Sequence, residues 1–141
     1  MNKLRILFIC YKNTARSQMA EALARLEGGE RVEVFSAGIE PGDLAPEAAD
    51  LIRSWELDPG QFHSKSLQGF IGQKWDFIIT LCDEAAEACP FFPGDAERIH
   101  WSIPNPNDPA LLPGERKIRF KMAAEELRQR IDLFLQANLK T

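Results

Sequence analysis

The sequence predicts an α/β fold in which four parallel strands form one sheet with helices on both faces, a three-layer arrangement. Three observations predict it. Short apolar runs of strand length alternate with longer stretches of helical spacing. Along the chain the order is β-α-β-α, then two further strands and a last helix. The breaks between them are rich in glycine and proline, with no repeat and no interdomain linker. Residues 1–141 are therefore expected to form one domain, a length that allows a sizeable core.

The first strand is read at 3–10, KLRILFIC, an apolar run ending on Cys10. Residues 14–28, TARSQMAEALARLEG, have helical spacing, with Gly28 and Gly29 as the stop. Residues 31–38, RVEVFSAG, read as the second strand and end on Gly38. A helix is expected from Pro46 to about Leu57, with proline in its first turn and Asp58-Pro59-Gly60 behind it. The third strand is read at 75–82, WDFIITLC, again ending on a cysteine, and the fourth at 98–103, RIHWSI. From about Glu115 to Asn138, helical spacing puts Phe120, Ala123, Ala124, Leu127, Ile131, Phe134 and Leu135 on one face. Residues 90–94 and 104–113 are proline-rich loops.

Composition removes several functional classes. Hydrophobic residues make up 45% and charged residues 27%, and 17 basic against 21 acidic side chains give a net charge of -4. A nucleic-acid binder carries the opposite balance, so no such partner is expected. No apolar run is long enough for a bilayer and no signal-peptide layout is seen, which points to the cytoplasm and away from membranes. In a reducing compartment three cysteines are reactive rather than structural. Two histidines and no C-x2-C or H-x3-H spacing give no expectation of a metal or cofactor.

Ligands of a parallel sheet bind at the carboxyl ends of its strands. Cys10, Cys82 and the 104–113 loop all leave from that edge. Residues 10–17, CYKNTARS, have the form C-x5-R-S between a strand and a helix. Such a loop turns the backbone N–H groups of Tyr11, Lys12, Asn13, Thr14, Ala15, Arg16 and Ser17 towards one point, with the helix dipole behind them. A tetrahedral oxyanion fits there, gripped by the Arg16 fork. The same field favours a nucleophilic thiolate at Cys10. Ser17 is a candidate donor to that sulfur, and Asn13 a brace for the loop. A cysteine and an arginine at this spacing alone read as a core thiol and a solvated helix residue; strand end, helix start, Asn13 and the Arg16-Ser17 pair together favour chemistry.

TLCDEAAEACP sets Cys82 and Cys89 seven residues apart. In a helix they lie on one side but roughly 10 Å apart along the axis. A disulfide needs Cα atoms about 4.4–6.8 Å apart, so this segment is expected to be ordered when reduced and looped out when oxidised. Asp108, in the dipeptide Asp108-Pro109, is a candidate general acid, although Asp-Pro is also an ordinary turn former. His63 and His100 read as structural, and Trp55, Trp75 and Trp101 as core or rim packing.

CYKNTARSQMAEALAR resembles the active-site loop shared by low-molecular-weight protein tyrosine phosphatases and the arsenate reductases built on that fold. ARSQMAEA is more similar to the reductases, since the phosphatases usually place proline after the serine. Tyr11-Lys12 stands where Thr-Gly is often found. The Cys82/Cys89 layout resembles thioredoxin-coupled arsenate reductases. This resemblance covers nearly the whole chain and implies sheet order 2-1-3-4. It further implies a monomer that reduces arsenate for arsenic detoxification, with phosphate and sulfate as competing oxyanions.

In the implied route Cys10 attacks arsenic, Asp108 protonates the departing oxygen, Cys82 attacks Cys10, and Cys89 attacks Cys82. Thioredoxin then reduces the Cys82–Cys89 disulfide. Some family members hold potassium beside the loop; Asn13, Glu21 and Ser36 match that set, and Lys65 stands where an aspartate would be, so its ammonium either replaces the cation or is a solvated surface charge. The alternatives are a phosphatase hydrolysing phosphate monoesters through phosphocysteine, with weak phosphatase activity compatible with either enzyme, and a redox-sensing binding module.

Overall fold

β1, Leu4–Cys10, buries five of its seven residues, as a strand covered on both faces does. In the computed structural model, which describes residues 3–139, it is one of the two inner strands of a four-stranded parallel sheet ordered β2-β1-β3-β4. The other strands are β2 (Val32–Gly38), β3 (Phe77–Thr80) and β4 (Glu97–His100). Pairing runs Cys10 opposite Gly38, Ile9 opposite Thr80, and Thr80 opposite His100. The helices are α1 (Arg16–Gly28), α2 (Pro46–Ser54), α3 (Asp83–Ala88) and α4 (Pro113–Asn138).

Alternate residues of the strands feed two cores. Ile6, Phe8, Ile79 and Leu81 pack with Met19 and Leu23 of α1 and Phe120, Leu127 and Ile131 of α4. Leu7, Ile9 and Ile78 face the other way, onto Leu67, Trp75, Ala85 and Phe92. Helices therefore lie on both faces, but unequally: long α1 and α4 cover one, and short α3 with the turn at Leu67–Phe70 the other. α2 packs against α1 and α4, with Ile52 buried beside Ala22 and Phe62. Six of the seven apolar residues expected on the α4 face are buried, and Phe134 meets Phe77 and Trp101 edge-on. Among the described residues no helix is long and apolar enough to cross a membrane.

Several boundaries differ from the sequence expectation. α1 begins at Arg16 rather than at residue 14, because the preceding residues are wound into the loop. α2 stops at Ser54, β3 is shortened at both ends, and β4 spans 97–100 instead of 98–103. Cys82 thus ends no strand. Leu81 N–H still donates to the Ile9 carbonyl at 2.9 Å, and Cys82 then caps α3. The strand order reverses between β1 and β3, which opens a crevice at their carboxyl ends. Cys10 and Cys82 flank that crevice.

Candidate active site

The loop from Tyr11 to Ala15 is shaped by where its carbonyls go. Those of Tyr11, Lys12 and Thr14 accept from the N–H groups of Glu40, Gly42 and Ala45 at 2.9, 3.0 and 2.9 Å. The Asn13 carbonyl accepts from Gln18 Nε2 at 3.1 Å. With the carbonyls turned outward, the N–H groups face inward; among the described residues none of those of 12–15 meets a backbone acceptor. Behind them stands α1, whose N-terminus has no side-chain cap, so its dipole and free amides are offered to an anion.

Asn13 holds the tightest turn, at φ 56, a left-handed conformation that asparagine tolerates. Gly38 allows the loop to pass: a Cβ there would lie 2.8 Å from the Lys12 carbonyl carbon. The resulting cleft, about 240 Å³, is lined by Cys10, Tyr11, Lys12, Thr14, Ala15 and Arg16, with Glu84, Asn105 and Asn107 opposite. Arg16 Nη1 donates to the Ile103 carbonyl at 2.8 Å, which ties the guanidinium to the segment after β4. A larger crevice at the other end of the sheet holds Arg5, already paired with Glu33, Gln73 and the Lys74 carbonyl.

At the base of the cleft Cys10 Sγ lies 3.9 Å from Cys82 Sγ, and both side chains are buried. They share the local positive field unequally. The hydrogen bond from the Cys10 thiol, helped by the Ala85 N–H and by Arg16, lowers Cys82 to about 6 against the cost of its burial. That same hydrogen bond, with burial, holds Cys10 well above the ordinary thiol range, although Arg16 pulls the other way. The two sulfurs share one hydrogen bond, which favours ionisation at Cys82 and opposes the thiolate expected at Cys10. Cys89, seven residues on at the far end of α3, is half-buried and its thiol is pushed up by that burial. All three cysteines are free, and the segment between Cys82 and Cys89 is an ordered helix.

The candidate loop supports do come together. Asn13 Nδ2 donates to Ser17 Oγ at 2.6 Å, and Asn13 Oδ1 accepts from the Lys65 N–H at 2.9 Å. Ser17 Oγ accepts in that bond, and among the described residues no hydrogen bond joins Ser17 to the Cys10 sulfur. Behind it Ser36 donates to Glu21 at 2.6 Å, and Glu21, only 2% exposed, pairs with Arg25. Lys65 Nζ lies 3.5 Å from both Glu21 and Ser36 and 2.7 Å from the His63 carbonyl. Burial lowers the Lys65 pKa, with Glu21 opposing.

Asp108 is not brought into the cleft. It is exposed, and its Oδ1 accepts from the Ala110 N–H at 2.9 Å in a turn. The loop that carries it is held by Arg116, which donates to the Asp108 carbonyl at 3.2 Å and to Asn107 Oδ1 at 2.7 Å. Arg116 is itself forked onto Glu47 of α2. Sequence reasoning missed Asn105, Asn107, Glu84 and Arg116. Position in the proline-rich loop could have flagged the two asparagines and position beside Cys82 could have flagged Glu84; Arg116, in the first turn of α4, carried no such signal.

An amide cradle with a cysteine at its base, set at the switch point of a 2-1-3-4 parallel sheet, defines a cysteine-dependent oxyanion-binding domain. The sequence profile of low molecular weight phosphotyrosine protein phosphatases matches residues 5–140, and the chain belongs to that family. The arsenate reductase of Halalkalibacterium halodurans is 35% identical over 139 residues, 96% of this chain and 98% of that protein. The thioredoxin-dependent arsenate reductase of Corynebacterium glutamicum superposes with a TM-score of 0.73 at 24% identity, over 96% of this chain and 61% of that one. A low molecular weight protein tyrosine phosphatase from T. tengcongensis gives 0.71 at 25% identity, covering 96% and 99%.

Proposed function

We propose that this chain reduces arsenate to arsenite through three cysteines, ending on a disulfide that thioredoxin reduces. One observation carries the reading: the Cys82 sulfur lies 3.9 Å from that of Cys10, within reach of a second sulfur–sulfur step. A phosphatase needs a nucleophile, an arginine and an acid, and has no use for a second thiolate aimed at its nucleophile. The 35% identity to an arsenate reductase over nearly the whole chain supports the same choice.

In this reading the amides of residues 11–17 and the Arg16 guanidinium bind arsenate, and phosphate or sulfate compete for the same cradle. Cys10 attacks arsenic, and its thiol proton leaves with one arsenate hydroxyl as water. Asp108 delivers that proton after its loop turns inward from the rim. The Cys82 thiolate then attacks Cys10 Sγ. A sulfur–sulfur bond forms, the sulfur–arsenic bond breaks, and its electron pair stays on arsenic, which becomes arsenite.

Cys89 next attacks Cys82, which frees Cys10 and requires α3 to unwind. Burial keeps the Cys89 thiol protonated until then, which orders the steps. Phe91, 79% exposed and two residues beyond Cys89, gives an incoming dithiol protein an apolar contact that travels with the disulfide. Detoxification by a cytoplasmic monomer is the setting that fits. The test is arsenate-dependent NADPH consumption with thioredoxin and thioredoxin reductase. Turnover that needs both proteins supports the reading, and its absence at any arsenate concentration overturns it.

Lys65 supports the loop in place of a bound cation, because its ammonium already sits beside Glu21 and Ser36. Wild-type kinetics are expected to be the same in potassium and in a bulky organic cation. Lys65→Met removes the charge facing buried Glu21, and turnover is expected to fall severalfold and to recover with potassium. Strong potassium activation of the wild type would reject this role.

A further inference from the structure

A polar clamp closes on the first residue of α3. Asp83 follows Cys82 directly, and its Oδ1 accepts from His100 Nε2 at 2.9 Å and from Ser102 Oγ at 3.2 Å. The other ring nitrogen of His100 lies 2.8 Å from Thr80 Oγ1. A carboxylate only accepts, so Nε2 carries a proton; in the neutral ring Nδ1 then accepts from the Thr80 hydroxyl. Thr80 and His100 are register partners at the ends of β3 and β4. The clamp therefore joins two strand ends to the start of the helix that leaves the cleft.

We propose that Asp83 and His100 are positioning residues that hold the Cys82 sulfur in line for its attack on Cys10. The proposal rests on the arsenate-reductase reading. Helix propensity cannot do this job: α3 has six residues, no side-chain cap, and only Ala85 buried, and a helix of that length does not hold itself together. Packing stability is not the clamp's purpose either. The side chains of His100 and Asp83 are 36% and 76% exposed, and exposed pairs contribute little to folding.

The attack is geometrically demanding, because Cys82 must approach Cys10 Sγ opposite the sulfur–arsenic bond as that bond breaks towards arsenic. The two cysteines are oxidised to a disulfide while arsenic(V) is reduced to arsenic(III), so no outside oxidant is needed. The clamp also engages the Asp83 carboxylate, next in sequence to Cys82, with His100 and Ser102.

The test uses the Cys89→Ser background, in which arsenate drives formation of the Cys10–Cys82 disulfide and stops. Acid-quenched single turnovers give its rate. Adding Asp83→Ala or His100→Ala is expected to slow that rate by about tenfold or more. Hydrolysis of p-nitrophenyl phosphate and its inhibition by arsenate, which do not use Cys82, are expected to stay within about twofold.

Asp83→Asn keeps an acceptor oxygen for His100 and is expected to restore most of the rate. Wild-type disulfide rates in both alanine variants would overturn the proposal. So would a parallel loss of phosphate-ester hydrolysis, which would make the clamp a general structural tie. Failure of the parent reading looks different: no arsenate-dependent disulfide would form even with Asp83 and His100 intact, which removes the step the clamp is proposed to serve.

Discussion

Cys82→Ser abolishes thioredoxin-supported arsenate turnover, by at least about a thousandfold, while phosphate-ester hydrolysis persists. Serine fills the same space beside Cys10 but cannot form a sulfur–sulfur bond, so arsenic on Cys10 has no reductant. Cys89→Ser has a different signature. Each molecule releases one arsenite and then stops with a Cys10–Cys82 disulfide, seen as one equivalent of product and the loss of two thiols. Sustained turnover in either variant would overturn the cascade.

The ionisation of Cys10 supplies an independent check on Cys82→Ser. The hydrogen bond with Cys82 is the largest influence holding the Cys10 thiol up. Removing that sulfur lets Arg16 and the loop amides act unopposed by it, so the Cys10 pKa falls. Its thiolate then persists to lower pH, and alkylation of Cys10 by iodoacetamide is expected to begin at lower pH than in the wild type. An unchanged or upward-shifted profile would mean that the two sulfurs do not share a proton.

Most of the scaffold was legible because each strand and helix carries its own periodic signal. The run at Leu4–Cys10, the α4 stripe and the glycine stop after α1 are local features, and each forms an element near its expected place. The oxyanion loop was legible for a related reason: C-x5-R-S occupies consecutive residues, so cradle and arginine follow from one short stretch. Readings failed where the answer depends on residues far apart in the chain. Cys10 and Cys82 are 72 positions apart, and the hydrogen bond between their sulfurs belongs to neither sequence neighbourhood.

Asp108 illustrates the same limit from the other side. Its motif is local, but its position depends on Arg116 and Glu47, which come from two different helices. His100 read as a structural residue; Asp83 meets it only after β3 and β4 pair. Asn105 and Asn107 lie in irregular backbone, where no periodicity tells which side chains face the cleft.

Arg16→Lys is expected to lower arsenate turnover and phosphate-ester hydrolysis together, by about a hundredfold to a thousandfold. Lysine keeps the charge but loses the planar fork that matches two oxygens of a tetrahedral anion. It also loses the reach of Nη1 to the Ile103 carbonyl, now 2.8 Å away, so the Asn105–Asn107 rim is no longer tied to the loop. Inhibition by phosphate and sulfate weakens in parallel, because the defect lies in anion binding shared by every oxyanion. This outcome is the complement of Cys82→Ser: one substitution separates the two activities, and the other moves them as a unit. If Arg16→Lys spared either activity to within tenfold of wild type, the cradle around Cys10 would not be the common site of both chemistries.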